Sequence, residues 1–241
     1  MTQALLRTRQ YEASAPPRLI LGSTGSTTSG ELSPSWRGVS HEKAFAMAPA
    51  MALLLVSSAE GARAQVAAVI FAATMTGMLG VSALNHRTAL GPNWQPWLRR
   101  ADHAAINFFL AGTCTSVALV TLSGSAKVAL IALVWGVAAA ASLVTFVWVD
   151  VPGWIPATIA VGVGWSTGVA LVGAAAVVGA RGVVLLLLGG AFYTSGALVY
   201  VLRRPQLRPA FGYHEIFHLL VLAGVASHYM ALAFFVLPLA R

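Results

Sequence analysis

The 241-residue chain is 58% hydrophobic and only 9% charged, with a mean hydropathy of +0.77. Soluble domains carry about 25% charged residues, so this chain lacks the charge to cover a water-facing surface, which excludes a soluble enzyme or binding module. Its net charge of +8 is scattered through tails and loops rather than massed on one face. That argues against nucleic acid as a partner, and for topological signalling and attraction to anionic headgroups.

Residues 1–40 differ in kind from the rest. From Ala13 to Ser40 they are rich in Ser, Thr, Gly and Pro, too weakly apolar to form a core. Leu5-Leu6 and Leu19-Ile20-Leu21 are too short for the apolar region of a signal peptide. The expectation is a disordered cytoplasmic tail over 1–40 and a membrane domain over 41–241.

Apolar runs near the ~20 residues needed to span a bilayer predict seven helices, over 44–58, 65–85, 102–122, 128–149, 155–178, 182–202 and 214–237. The first is the shortest. Charge, Gly and Pro punctuate the breaks between them, as helix ends require. With the N-terminus cytoplasmic, eleven Lys and Arg fall inside, including Arg87, Arg99, Arg100, Arg203, Arg204 and Arg208. Four fall outside: Arg63, Lys127, Arg181 and Arg241. That bias favours an all-α seven-helix bundle with N-terminus in and C-terminus out. Gly164 and Gly168, and Gly189, Gly190 and Gly196, read as positions of close helix contact. Cys114, the single cysteine, reads as a small packing residue.

Ionisable side chains inside a bilayer are costly and invite a functional reading. Those at or within the predicted spans are His86, Asp102, His103, His214, Glu215, His218 and His228. Helix 2 ends at His86, helix 3 starts with Asp102, and helix 7 starts with His214 and His218. The topology from Lys and Arg brings all of them to the cytoplasmic leaflet. His214 and His218 share one helical face, as do Ser82 and His86. Three imidazoles suit tetrahedral Zn²⁺ with a fourth position open to water. Asp102 and Ser82 would hydrogen-bond that water.

Blander roles exist for each residue. A lone histidine at a helix end can snorkel, Asp102 can serve as an N-terminal helix charge, and Ser82 can bond a carbonyl in its own helix. His41 and His103 read as interfacial, and His228 as a packing or hydrogen-bonding residue. His214-Glu215-Ile216-Phe217-His218 also fits H-E-x-x-H, the zinc-protease helix with Glu as base. Glu215 can equally face the headgroups.

The run Gly212-Tyr213-His214-Glu215-Ile216-Phe217-His218-Leu219, followed by Ser227-His228-Tyr229, resembles the last helix of the hemolysin III family, within the progestin and adipoQ receptor superfamily. Ser82-Ala-Leu-Asn-His86 resembles its S-x-x-x-H motif. Asp102-His103-Ala-Ala-Ile106 with Ala111-Gly-Thr113, and Leu188-Gly-Gly-Ala-Phe-Tyr193 with Gly196 and Tyr200, resemble its third and sixth helices. The resemblance covers about residues 41–240. It implies seven helices with the N-terminus inside, a bacterial plasma-membrane location, and a zinc held by His86, His214 and His218 with Ser82 and Asp102 around a water. It further implies roles such as ceramide hydrolysis, haemolysis and membrane-lipid homeostasis. The chain departs from the pattern where Pro49 replaces a first-helix histidine, where Asn85 replaces a tyrosine, and at Thr113-Cys114-Thr115-Ser116.

Three functions compete on these residues. One is a zinc-dependent hydrolase of ceramide-like lipid amides. Another is a stress sensor, receptor or pore-associated protein with structural zinc. The third is an intramembrane protease based on H-E-x-x-H.

Overall fold

The computed structural model describes residue 36 and residues 38–88, 91, 93–148, 151–208 and 211–240. The expected tail therefore lies almost wholly outside the described residues. Helices α1 (Val39–Ser57), α2 (Ala62–Arg87), α3 (Gln95–Thr121) and α4 (Gly124–Val147) follow one another in chain order. The stretch Trp154–Leu202 is broken at Gly179, whose φ of 73° and ψ of 162° leave the helical region. Its arms are α5 (154–178) and α6 (180–202). Only glycine takes that conformation cheaply, and Arg181 beside it adds the charge that marked this break in the sequence. Helix α7 (Tyr213–Ala231) runs on through a π-turn, Leu232–Val236, into a 3₁₀ turn, Leu237–Ala240.

Among the described residues, six segments are long and apolar enough to cross a membrane: Val39–Ser57, Ala62–Arg87, Gln95–Thr121, Gly124–Val147, Ala175–Leu202 and Tyr213–Ala240. Their outward faces carry Leu53, Leu54, Val128, Leu143, Val147 and Phe234, each 63–73% exposed. Apolar exposure so widely distributed suits hydrocarbon as the solvent. Trp94, Trp97, Trp148 and Trp154 are exposed near helix ends, where amphipathic rings sit at headgroup level. The chain is an all-helical, multi-pass integral membrane protein.

Two helices begin earlier than the apolar runs predict. Helix α1 starts at Val39 rather than 44, because the polar run Ser40-His41-Glu42-Lys43 forms its first turn. Helix α3 starts at Gln95 rather than 102, with Pro96 in the first turn, where a missing N–H costs nothing. Arg100 stacks over Trp97 at 4.8 Å, so residues that read as loop charges belong to a helix. Asp102 thus lies about two turns inside α3. The reading of it as an N-terminal helix charge is overturned, since the dipole effect fades within the first turn.

The buried core gathers Phe71, Met75 and Met78 of α2, Phe109 of α3, Val221 and Val225 of α7, and Leu232. Polar pins join the helices. Ser116 Oγ donates to Ala67 O at 2.8 Å, Tyr229 Oη to Met51 O at 2.9 Å, and Trp135 Nε1 to Thr115 Oγ1 at 2.9 Å. Such bonds stabilise helix pairs where lipid supplies no competing water. Cys114 is buried, as expected of a packing residue.

The glycines divide by role. A Cβ on Gly189 would run into His228, and one on Gly224 into Tyr193, so α6 and α7 approach closely there. A Cβ on Gly168, expected at a helix contact, would meet nothing within 4 Å among the described residues, and one on Gly164 only Leu110 at 3.7 Å. Both instead line a cavity.

Candidate metal centre

Two helix ends supply the three histidines. His86 is the next-to-last residue of α2, His214 the second of α7, and His218 lies one turn further along the same face. Their ligand atoms all lie within 4.8 Å of one another. His214 Nε2 is 3.3 Å from His86 Nε2 and 2.9 Å from His218 Nε2. A ring nitrogen carries one proton or one lone pair, so His214 Nε2 cannot satisfy both neighbours by hydrogen bonding. One cation between them would satisfy all three. Zn–N bonds of about 2.0–2.1 Å in a tetrahedron separate the nitrogens by roughly 3.4 Å; here two pairs lie at 3.3 and 2.9 Å and all three ligand atoms within 4.8 Å. The three histidines lie close enough to hold one metal ion, and neutral imidazole nitrogens are donors that suit Zn²⁺.

Asp102 Oδ2 lies 3.5 Å from His86 Nε2, so the third helix brings its carboxylate to the edge of the triad. Asn85 Nδ2 donates to that same oxygen at 2.9 Å. Gln95 Nε2 in turn donates to the carbonyl of Asn85 at 3.0 Å and to its Oδ1 at 3.2 Å. This relay fixes the carboxylate, and the sequence reading noted Asn85 only as a departure. A usable signal existed: an amide next to a candidate ligand, opposite another amide at the start of the following helix.

Ser82 Oγ is 2.8 Å from His41 Nδ1. The structure thus gives this hydroxyl a side-chain partner rather than a carbonyl of its own helix. His41 itself, expected at the interface, is 2% exposed and sits against His218. The expectation failed because its polar neighbours were read as tail rather than as a helical turn. His103, expected at the interface, is bonded through Nδ1 to Arg99 O at 2.7 Å and lines the cavity beside the histidines. His228 also behaves as expected, with Nε2 donating to Leu186 O at 3.1 Å and its ring against Tyr193.

Glu215 does not face the headgroups. It is 6% exposed, and its Oε2 accepts the Gly212 N–H at 2.8 Å. It is the acid half of an N-terminal cap on α7; Gly212 has no side chain to complete the pair.

A cavity of ≈ 790 Å³ opens from the histidines. His86, Asp102, His214 and His218 line one end, and Leu110, Gly164, Leu186, Tyr193, Val221 and His228 continue it between the helices. His218 and His228 are ten residues apart on α7, or ~15 Å along the axis. That is about half the ~30 Å hydrocarbon thickness, the depth of one leaflet.

A polytopic helical membrane protein with a three-histidine cluster at one end of an apolar cavity is the class these features define. The Haemolysin-III related family model matches residues 31–229, and the chain belongs to that family. Among its relatives, Hemolysin-3 of Bacillus cereus is 29% identical over 196 residues, covering 80% of this chain and 86% of the relative. The Hemolysin-3 homolog of Bacillus subtilis (strain 168) is 26% identical over 189 residues, covering 78% and 86%.

Proposed function

We propose that the chain is a zinc-dependent hydrolase of lipid amides, acting on ceramide-like substrates from the cytoplasmic leaflet of a bacterial plasma membrane. The observation that carries this reading is the continuity of the histidine triad with a leaflet-deep apolar cavity. An acyl chain fills such a space, and its amide then lies beside His86, His214 and His218. When bound, Zn²⁺ supplies Lewis-acid polarisation of a carbonyl and a lowered pKa for water. Asp102, held by Asn85, orients the attacking water and takes its proton. Ser82 lines the same cavity and offers a hydroxyl donor to the developing oxyanion.

The N-in, C-out orientation belongs to the same proposal. It puts the triad on the side of Arg87, Arg99, Arg203 and Arg204, which draws anionic headgroups toward the cavity mouth. The test is fatty-acid release from a ceramide-like amide by purified protein in bilayer discs. Release that stops on chelation and returns with Zn²⁺ supports the reading, and no release from any such amide overturns it.

A second reading has its own support. The relatives carry the name hemolysin-3, and a metal shared by α2 and α7 would staple the helices whether or not it does chemistry. In that case the protein is a structural-zinc sensor, receptor or lytic factor. Alanine variants of the triad would then lose stability in step with cellular function, with no hydrolysis to lose. The protease reading gains least, because the Glu215 carboxylate is engaged in capping α7.

A further inference from the structure

The first turn of α1 packs against two of the three candidate ligands. Gly38, at φ 75° just before the helix, lies so close to His86 that a Cβ there would run into the His86 Cβ. Three residues on, the His41 ring meets the His218 ring edge to face, with centroids 4.0 Å apart and planes at 79°. Glu42 pairs with Arg87 at 2.7 Å, tying the same turn to the residue after His86. The start of α1 is thereby registered against the histidine cluster.

His218 uses both ring nitrogens. Nε2 faces His214, and Nδ1 lies 2.9 Å from His41 Nδ1. A histidine that gives its Nε2 lone pair to a metal carries its proton on Nδ1. Ligating histidines almost always pass that proton to a carboxylate, a backbone carbonyl or water, and the acceptor fixes tautomer and ring orientation. Here the atom at hydrogen-bonding distance is a second imidazole nitrogen.

We propose that His41 is a positioning residue of the metal centre: its Nδ1 accepts the Nδ1–H of His218 and holds the His218 Nε2 lone pair toward the metal. Ser82 Oγ lies 2.8 Å from the same His41 nitrogen and competes with His218 for its single lone pair. This tautomer leaves the His41 proton on Nε2, a buried atom with no hydrogen-bond partner. A buried orphan of that kind needs a reason, and the His218 contact at Nδ1 supplies it. Helix α1, which contributes no ligand, then governs a ligand on α7. The inference rests on the metal reading.

The test uses full-length protein in detergent, as wild type, His41→Phe and His41→Gln. Zn²⁺ affinity is measured by competition with a chromophoric chelator, and the ligand field by the visible spectrum with Co²⁺ substituted. Phe keeps the ring packing but accepts no hydrogen bond, whereas the Gln carbonyl accepts one. Expected are a ~10–100-fold weaker affinity and an altered Co²⁺ spectrum for His41→Phe, with most of the loss recovered in His41→Gln. Wild-type affinity and spectrum in His41→Phe would overturn the inference and leave the metal reading intact. Equal weakness in both variants would overturn it too, by reducing His41 to packing. A wild type that binds no metal would overturn both.

Discussion

The Asn85 side-chain amide donates to Asp102 Oδ2 at 2.9 Å, joining the end of α2 to the third turn of α3 beside the histidine triad. Asn85→Leu should lower kcat for amide hydrolysis by ~10–100-fold, the usual effect of losing an outer partner of a metal site, with zinc content unchanged. Asp102→Asn should cost more, ~10²–10⁴-fold, as expected for a proton-transfer group. Kinetics paired with metal content on the same preparations check both. An Asp102→Asn enzyme at full rate would remove the proposed base.

Glu215 separates the hydrolase reading from the protease reading. Its carboxylate caps Gly212 N–H, and the carbonyl oxygen of Gln can take that bond. Glu215→Gln should therefore retain activity and metal, while Glu215→Ala should lose ~0.5–2 kcal/mol of stability. Thermal unfolding and activity of the two variants give the result. Loss of all turnover in Glu215→Gln would restore Glu215 as a general base.

The α6–α7 contact predicts a packing defect away from the chemistry. A Cβ on Gly224 would run into the Tyr193 ring, which lines the cavity. Gly224→Val should destabilise the fold by ~1–3 kcal/mol through overpacking, shown by a lower unfolding temperature in detergent. Because Tyr193 must move, KM for long-chain amides should rise as well.

Orientation is open to a direct check. Single cysteines in a Cys114→Ser background, one between α2 and α3 and one between α1 and α2, should label from opposite sides of sealed vesicles. The basic bias predicts that the connection between α2 and α3, flanked by Arg87, Arg99 and Arg100, lies on the cytoplasmic side.

Much of the architecture was legible because bilayer thickness fixes run length, so α2, α4, α6 and α7 follow from hydropathy alone. The polar starts of α1 and α3 were not. Ser40-His41-Glu42-Lys43 and Trp97-Leu98-Arg99-Arg100 look like loop by composition, yet a helix can run beyond the hydrocarbon into the headgroup layer. The same blind spot hid His41, since its burial arises only when the first turn of α1 meets α7. The triad was legible because helix-end position and four-residue spacing place His86, His214 and His218 without knowledge of packing. The Gln95–Asn85–Asp102 relay was not, because it depends on how two helix ends meet across a turn.

The central claim is that His86, His214 and His218 hold one metal ion. Elemental analysis of purified wild type beside His214→Ala tests it most directly. The account predicts one zinc per chain in the wild type, lost in the variant, with chelation lowering the unfolding temperature only in the former. Equal metal in both proteins, or none in the wild type after reconstitution with Zn²⁺, would contradict it.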